Sequence, residues 1–220
     1  MDLPRNGDRQ GDGGEVHQRV QEVPACDLVE TAKVMQIIHC TKKLLHELGA
    51  LGSKMPAGHP AGVLGPWHAN LIRIERRKCI LFTNDRTLYS FLVPGVKKKD
   101  DFHDLFLMNL NANLAAEGLM QGEILKALAE YGEIAVAPTA NRSVLGSMND
   151  LVNQVEFLIS RAGGLDKADM LRVNMMLNRV PMGALKYNYA VEKVYELFGR
   201  TDRVRELIDP FTMTFSRSKA

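Results

Sequence analysis

The segment Trp67–Pro94 constrains the fold more than any other part of the chain. It reads WHANLIRIERRKCILFTNDRTLYSFLVP, in which apolar runs rich in Ile, Leu, Phe and Tyr are separated by short polar breaks. Runs of this length and composition predict the strands of an antiparallel meander. The last run is apolar on both sides, with Tyr89 and Phe91 on one and Leu88 and Leu92 on the other. We therefore expect helices against both faces of the sheet. The three predicted strands are Ala69–Ile74, Cys79–Thr83 and Thr87–Val93.

Positive charge is concentrated in the same part of the chain. Between residues 67 and 99, eight Lys and Arg residues are accompanied by two acidic residues, a net charge of +6, whereas the whole chain carries +2. One interpretation is a surface for phosphate or for an acidic protein, since clustered cations attract anionic partners. The other is a set of ordinary solvated turns. The candidate basic surface comprises Arg73, Arg76, Arg77, Lys78, Lys97, Lys98 and Lys99.

Nucleic acid is the less favoured of the anionic partners. Proteins that hold single strands combine a basic groove with aromatic side chains on which the bases stack. The only aromatic residues interleaved with the basic ones are Phe82, Tyr89 and Phe91, and their positions in the strand pattern predict core packing. An acidic protein therefore remains an open alternative alongside nucleic acid.

The composition is that of an ordinary globular protein. Of 220 residues, 45% are hydrophobic and 25% charged, which suffices for one sizeable core. No apolar run approaches the roughly 20 residues of a membrane span, and the first residues lack the apolar centre of a signal peptide. Cys26, Cys40 and Cys79 have no metal-ligand spacing, which indicates reduced thiols. We expect a cytoplasmic protein without membrane segment, metal or cofactor.

The first 28 residues differ from the rest of the chain. They are rich in Gly, Asp, Arg and Gln and carry a net charge of −3, from three Arg against six acidic residues. This composition without apolar periodicity predicts a disordered acidic leader. An alternative is an extended translation start, with Met35 closer to the beginning of the fold. Residues 29–220 are predicted to form a single domain, with 165–220 as a candidate C-terminal helical lid or subdomain.

The remaining segments alternate between strand and helix patterns. Val34–Cys40 and Glu133–Pro138 are predicted strands, and Thr41 is placed to cap the helix after the first of them with its hydroxyl. Together with the meander they predict an α+β fold, with a mostly antiparallel sheet of about five strands covered by several helices. The predicted helices are Lys42–Leu48, Asp101–Glu117, Gln121–Tyr131, Arg142–Arg161, Lys167–Leu177, Tyr189–Phe198 and Asp202–Ile208.

The helix that opens at Asn141 carries the best candidate for a polar site. Asn141 is a predicted N-cap, and the N–H groups and dipole of a helix start favour an anion. Arg142 and Asn149 are seven residues apart and share one helix face. The alternative is structural, an N-cap plus a buried polar network that fixes helix packing. The candidate ligand-binding residues are Arg142, Ser143, Asn149, Asp150, Asn109 and Asn113.

Common catalytic and metal-binding motifs are missing from the sequence. It contains no GxSxG, P-loop, GxGxxG or HExxH pattern, each of which places reactive groups or phosphate-binding N–H groups at fixed spacing. Two histidines occupy positions worth inspecting, His68 next to Trp67 and His103 next to Asp104. No catalytic residue can be assigned on this basis, and whether the protein is an enzyme stays open.

Three phrases resemble an uncharacterised family of bacterial and archaeal proteins that is catalogued as a domain of unknown function. They are HCTKKLLHELG at 39–49, WHANLIRIERRKCILFTNDRTLYSFLVP at 67–94 and APTANRSVLGSMNDL at 137–151, with LNRVPMGALKY at 177–187 as a weaker fourth. The blocks occur in the family's order and spacing, and the resemblance covers residues 34 to 190. Because no activity is known for the family, it implies no site residue.

Three hypotheses of function follow. The first is a non-enzymatic cytoplasmic binding or regulatory module for an anionic partner, either protein or nucleic acid. The second is an enzyme of unrecognised type, with a polar Arg/Asn/Asp site at the helix opening at Asn141. The third is a structural subunit of a larger assembly. The sequence does not indicate an oligomeric state.

Overall fold

The computed structural model describes residues 35–50, 62–139 and 141–200. The chain divides into two compact units, Met1–Thr31 and Ala32–Ala220, and every described residue belongs to the second. No helix within these ranges is long and apolar enough to cross a membrane. The predicted leader 1–28 and the predicted helix Asp202–Ile208 lie outside the described residues.

A five-stranded sheet forms the centre of the fold. Its strand order is β4-β3-β2-β1-β5, and a separate two-stranded ribbon pairs β6 with β7. The sequence pattern located all five central strands, and Cys40 and Cys79 are buried free thiols within them. The strands are β1 Met35–Cys40, β2 Trp67–Ile74, β3 Arg77–Asn84, β4 Ser90–Pro94, β5 Glu133–Pro138, β6 Pro181–Met182 and β7 Asn188–Tyr189.

The sheet is mixed, so the prediction of a mostly antiparallel sheet is wrong. The meander β2-β3-β4 is antiparallel, but β1 runs parallel to both of its neighbours, β2 and β5. A parallel pair needs a long crossover between its strands, whereas an antiparallel pair closes with a short turn. Residues 41–66, between β1 and β2, are long enough for such a crossover. The α+β assignment holds with this correction.

Six α-helices within the described part of the chain cover the two faces of the sheet. α1, α2, α3 and α6 contribute to a core that contains Trp67, Phe82 and Phe91, while α4 and α5 contribute to a second core that contains Leu81 and Leu92. Both faces of β4 are therefore covered, which confirms the expectation from its two-sided apolar pattern. The helices are α1 Lys42–Glu47, α2 Phe102–Ala116, α3 Gln121–Ala129, α4 Arg142–Arg161, α5 Met170–Leu177 and α6 Ala190–Leu197.

Two turns set the limits of the meander. Glu75 and Arg76 both have positive φ, 47° and 66°, the backbone that joins two antiparallel strands in a two-residue hairpin. After β3, the Asn84 side-chain oxygen accepts from the backbone N–H groups of Arg86 and Thr87 and from the Thr87 hydroxyl. This turn holds Thr87–Tyr89 out of the ladder, so β4 begins at Ser90 rather than at the predicted Thr87.

The β4 edge of the sheet is closed by Asn174 of α5 and by Asn178, the residue that follows this helix. Asn178 donates to the Ser90 carbonyl and accepts from its N–H, both at 2.7 Å. Asn174, one turn earlier, accepts from the Leu92 N–H at 2.9 Å and donates to its carbonyl at 3.4 Å. An exposed edge strand would offer these groups to another chain. The two amides satisfy them instead and anchor α5 to the sheet.

A buried ion pair joins the end of α2 to the segment after α5. Arg179 binds both oxygens of Glu117 with N–O distances of 3.1 and 2.7 Å, and the two side chains are 3% and 0% exposed. The Tyr195 hydroxyl donates to the Glu117 carbonyl. Burial raises the pKa of Glu117, although Arg179 acts in the opposite direction. The pair ties together three elements that lie far apart in sequence.

Candidate functional site

The carboxyl ends of β1 and β5 meet at one edge of the sheet. Cys40 and Pro138, the last residues of the two strands, are paired in parallel register. α1 leaves β1 toward the face that holds Trp67, whereas α4 leaves β5 toward the opposite face. In parallel sheets a crevice opens at the carboxyl ends of neighbouring strands whose helices depart to opposite faces, and ligands bind there. We therefore expect a site at this edge.

Two histidines lie side by side at this edge. His39 on β1 and His68 on β2 are partners in the parallel register, and their rings stack with centroids 5.0 Å apart. By strand alternation His68 is on the same face as Ile72 and Ile74, the face that α4 covers. His68 is only 2% exposed, so its two ring nitrogens need partners within the protein.

Both ring nitrogens of His68 are hydrogen-bonded. Nε2 lies 3.0 Å from Asp85 Oδ1, and Nδ1 lies 3.0 Å from the Thr139 hydroxyl. Burial lowers the pKa of His68, as does nearby His39, against the opposing effect of Asp85. The ring is therefore neutral near pH 7. Because a carboxylate only accepts, Nε2 carries the proton, and Nδ1 accepts from the Thr139 hydroxyl.

Asn141 connects this cluster to α4. Its side-chain oxygen accepts from the N–H groups of Ser143 and Val144, which confirms the predicted N-cap. Its amide nitrogen donates to Asp85 Oδ1 at 3.1 Å. Asp85 Oδ1 thus accepts from His68 and Asn141 together, and this places the helix start beside the His68–Asp85 pair. We call His39, His68, Asp85, Thr139 and Asn141 the carboxyl-edge cluster.

The predicted ligand-binding residues do not form one site. Arg142, Ser143, Asn149 and Asp150 are exposed on α4, and Asp150 borders a separate cavity of about 280 Å³ near Met182.

Asn109 and Asn113 are on α2, which packs on the opposite face of the sheet. Each of them donates to a carbonyl one turn earlier in its own helix, Leu105 and Asn109 respectively. The sheet lies between them and α4, so Asn109 and Asn113 do not share a cavity with Arg142.

The cluster contains residues that the sequence pattern did not single out. His39, Asp85 and Thr139 were not among the candidates, although each of them sits at or just after the end of a predicted strand. That position was the available signal, because strand ends that meet at one edge collect polar side chains.

The predicted cap at Thr41 is wrong. The Thr41 hydroxyl donates to Asn70 Oδ1 at 3.2 Å and does not cap α1.

The predicted basic surface separates into two parts. Arg73 is exposed on β2 and Arg76 in the hairpin turn, and Arg77 pairs with Asp166 at 2.6 Å. Burial of Phe82, Tyr89 and Phe91 is nearly complete, which confirms them as core. The four lysines line a cavity of about 430 Å³ between α1, the sheet and the start of α2. They are Lys78, Lys97, Lys98 and Lys99, and we call this cavity the lysine groove.

The acidic groups of the lysine groove already have partners. Glu47 binds Lys78 at 2.5 Å, and that hydrogen bond is the main reason why its pKa is lowered, with Lys98 and Arg73 adding to the effect. Asp100 accepts from the Lys97 N–H, and Asp101 caps α2. The groove floor is apolar, formed by Leu44, Leu71, Ile80, Val96, Phe102 and Leu105.

Three residues at the start of α2 come close enough to hold a metal ion. Ligand atoms of Asp101, His103 and Asp104 lie within 4.8 Å of one another. Asp101 is already the N-cap of the helix, and His103 Nε2 lies 2.8 Å from the Tyr131 carbonyl. These two roles account for the arrangement through protein contacts alone, and exposed carboxylates at a helix start are favoured by its dipole.

Comparison with known proteins agrees with the resemblance seen in the sequence. No functionally curated protein matches the chain. A family model matches residues 37–193, which include the lysine groove, the carboxyl-edge cluster and all but the first two residues of the central sheet. The chain belongs to the family named domain of unknown function DUF6933.

Proposed function

We propose that the protein is a binding module for an acidic protein partner, which it holds in the lysine groove. The observation that supports this is the groove itself, a cavity of about 430 Å³ with four lysines around an apolar floor. A cavity of this size with a few convergent polar groups has the usual form of a binding site. The expected cytoplasmic location suits the free thiols of Cys40 and Cys79.

The charges of the groove favour an anion. Its lining holds four lysines against three acidic residues, and Arg73 lies close enough to Glu47 to lower the carboxyl pKa further. Among the described residues, Lys78 alone of the four lysines has an ion pair. Lysines that have no ion-pair partner can steer an acidic partner and then bind it with little rearrangement.

The shape of the groove favours a protein segment over a nucleic acid. Bases would need accessible aromatic faces to stack on, but Phe82 and Phe91 are fully buried beneath the sheet surface. The aliphatic floor and Phe102 instead suit the apolar side chains of a peptide whose acidic residues reach the lysines. We therefore expect an acidic segment with interspersed apolar residues.

Fluorescence anisotropy with two probes tests this proposal. The probes are a labelled glutamate–tyrosine copolymer and a labelled single-stranded oligonucleotide of similar charge. We expect the copolymer to bind more tightly, and its affinity to fall as salt is added. The variant K97Q/K98Q/K99Q should weaken binding by about tenfold or more, since three charged contacts are lost.

A matched control removes the same charge elsewhere. Lys126, Lys167 and Lys186 are exposed and outside the groove lining, so K126Q/K167Q/K186Q should bind the copolymer as the unmodified protein does. Equal weakening in both triple variants would show that only net charge matters. It would contradict the proposal that the partner binds in the lysine groove. Tighter binding of the oligonucleotide would overturn the proposal that the partner is a protein, without contradicting the lysine groove as the binding site.

A further inference from the structure

A chain of hydrogen bonds in the carboxyl-edge cluster ends on a hydroxyl group. Asp85 Oδ1 and His68 Nε2 are 3.0 Å apart, and His68 Nδ1 and Thr139 Oγ1 are 3.0 Å apart. The residues come from three places: the turn after β3, strand β2 and the segment after β5. A carboxylate, an imidazole and a hydroxyl in this order form the arrangement that activates a nucleophile in covalent catalysis.

The state of the imidazole suits that role. Its Nδ1 is unprotonated and accepts from the Thr139 hydroxyl, because Nε2 donates to Asp85. The low exposure of His68 holds the ring in place, and the His39 ring stacks against it. A general base must lie within hydrogen-bond reach of the proton that it takes, and His68 already does so.

Thr139, at the hydroxyl end of this series of hydrogen bonds, is closer to the solvent than His68 is. Thr139 is half-buried, and its neighbours Pro138 and Asn141 are exposed. The first turn of the 20-residue helix α4 begins three residues after Thr139, so the positive end of its dipole lies close by. Thr139 is therefore more accessible to a substrate than the buried His68 ring is.

We propose that Asp85, His68 and Thr139 form a catalytic relay that hydrolyses carboxylic esters, with Thr139 as the nucleophile, His68 as the general base and Asp85 as the positioning residue. A carboxylic ester suits the site because its carbonyl carbon can be attacked by the Thr139 hydroxyl while His68 takes the proton. This activity is independent of the lysine groove.

The reaction proceeds in two balanced steps. Thr139 Oγ1 attacks the ester carbonyl carbon while its proton passes to His68 Nδ1. The bond to the alcohol oxygen then breaks, and that oxygen takes the proton, which leaves an acyl group on Thr139. In the second step water attacks the acyl group, His68 accepts and returns the proton, and Thr139 is restored. The net reaction is ester plus water to acid plus alcohol.

The test uses p-nitrophenyl acetate and the full chain. We expect release of nitrophenol and, after quenching, an acetyl group on Thr139 in peptide mapping by mass spectrometry. Mapping is essential because this ester also acetylates lysines directly. The rate should stay constant to below pH 6.5, since the pKa of His68 is lowered from that value. A purely structural network would produce neither the adduct nor this profile.

Four variants separate catalysis from folding. Thr139→Val should abolish the adduct and lower the rate by about 100-fold or more, as His68→Gln should, while Thr139→Ser should keep both. Asp85→Asn should lower the rate to a smaller extent. Melting temperatures identify any variant that fails to fold, and the Val and Ser variants decide the question without His68→Gln. Absence of acetyl-Thr139 in the unmodified protein, or an unchanged rate in Thr139→Val, would overturn the proposal.

Discussion

Two polar networks in this protein are built from similar groups but differ in their contact with water. In the first, Glu117 and Arg179 are 0% and 3% exposed and bind each other through two parallel hydrogen bonds. In the second, His68 is 2% exposed but its partner Asp85 is 30% exposed. One network is sealed inside the protein, and the other reaches the surface.

The difference assigns separate roles to the two networks. A sealed ion pair has no access to substrate, and removal of one partner leaves an uncompensated charge in the core. Loss of either partner of the Glu117–Arg179 pair should therefore destabilise the packing of α2 against the segment after α5. The carboxyl-edge cluster should tolerate the loss of a partner better, because water can reach Asp85.

The largest effect is expected from the sealed pair. Arg179→Met should lower the free energy of unfolding by about 3–5 kcal/mol, because Glu117 remains buried without its cation. The double variant Glu117→Leu/Arg179→Met should recover most of this loss. Urea denaturation measures both variants. If Arg179→Met lowered the free energy of unfolding by less than about 1 kcal/mol, the proposed difference between the sealed and the open network would be wrong.

The asparagines that close the β4 edge form a second sealed network. Their removal should cause the next largest loss of stability after that of the Glu117–Arg179 pair. Asn178→Ala leaves the Ser90 N–H and carbonyl unpaired and should cost about 2 kcal/mol. Asn174→Ala should cost less, because its second bond is long, 3.4 Å against 2.7 Å for Asn178. Urea denaturation of the two variants checks the order, with exposed Asn153→Ala as the control, expected to change stability by less than about 0.5 kcal/mol. The reverse order would contradict the geometry.

The open network should show the smallest effect, visible mainly through pH. The ordinary pKa of His68 is 6.5, and its pKa in the folded protein is lower. Below about pH 6.5 the unfolded chain therefore binds more protons, so stability is complete above this pH and is lost as the pH falls toward the folded-state pKa. The slope reaches at most about 1.4 kcal/mol per pH unit. Urea midpoints of the protein and of His68→Gln measure it as a difference.

The difference between the protein and His68→Gln isolates the contribution of His68. His39 stacks on the His68 ring and lowers its pKa, while Asp85 raises it. Asp85→Asn should therefore shift the titration of His68 to still lower pH, which NMR of the ring protons follows. Parallel urea midpoints for the protein and His68→Gln from pH 7 to pH 5 would show that His68 does not titrate with a lowered pKa.

Local structure could be predicted from the sequence because short-range patterns control it. The apolar runs of the meander, the N-cap at Asn141 and the 20-residue helix α4 each depend on residues a few positions apart. The two-sided pattern of Tyr89 to Leu92 also indicated that helices cover both faces. The observed limits of a strand differ from the predicted ones where a side chain binds the backbone groups in place of the neighbouring strand. The Asn84 side chain does this just before β4.

Strand direction and the candidate sites were decided by contacts between distant residues. Nothing in Met35–Cys40 shows that its neighbours are β2 and β5 or that both run parallel to it, because that depends on where the crossover carries the chain. The same register brings His39 beside His68, and the turn after β3 adds Asp85. The grouping of four lysines around one cavity likewise required α1 and α2 to pack on the sheet. Sequence by itself therefore determined the five central strands, the main helices and the excess of charge, whereas tertiary packing decided which polar side chains meet.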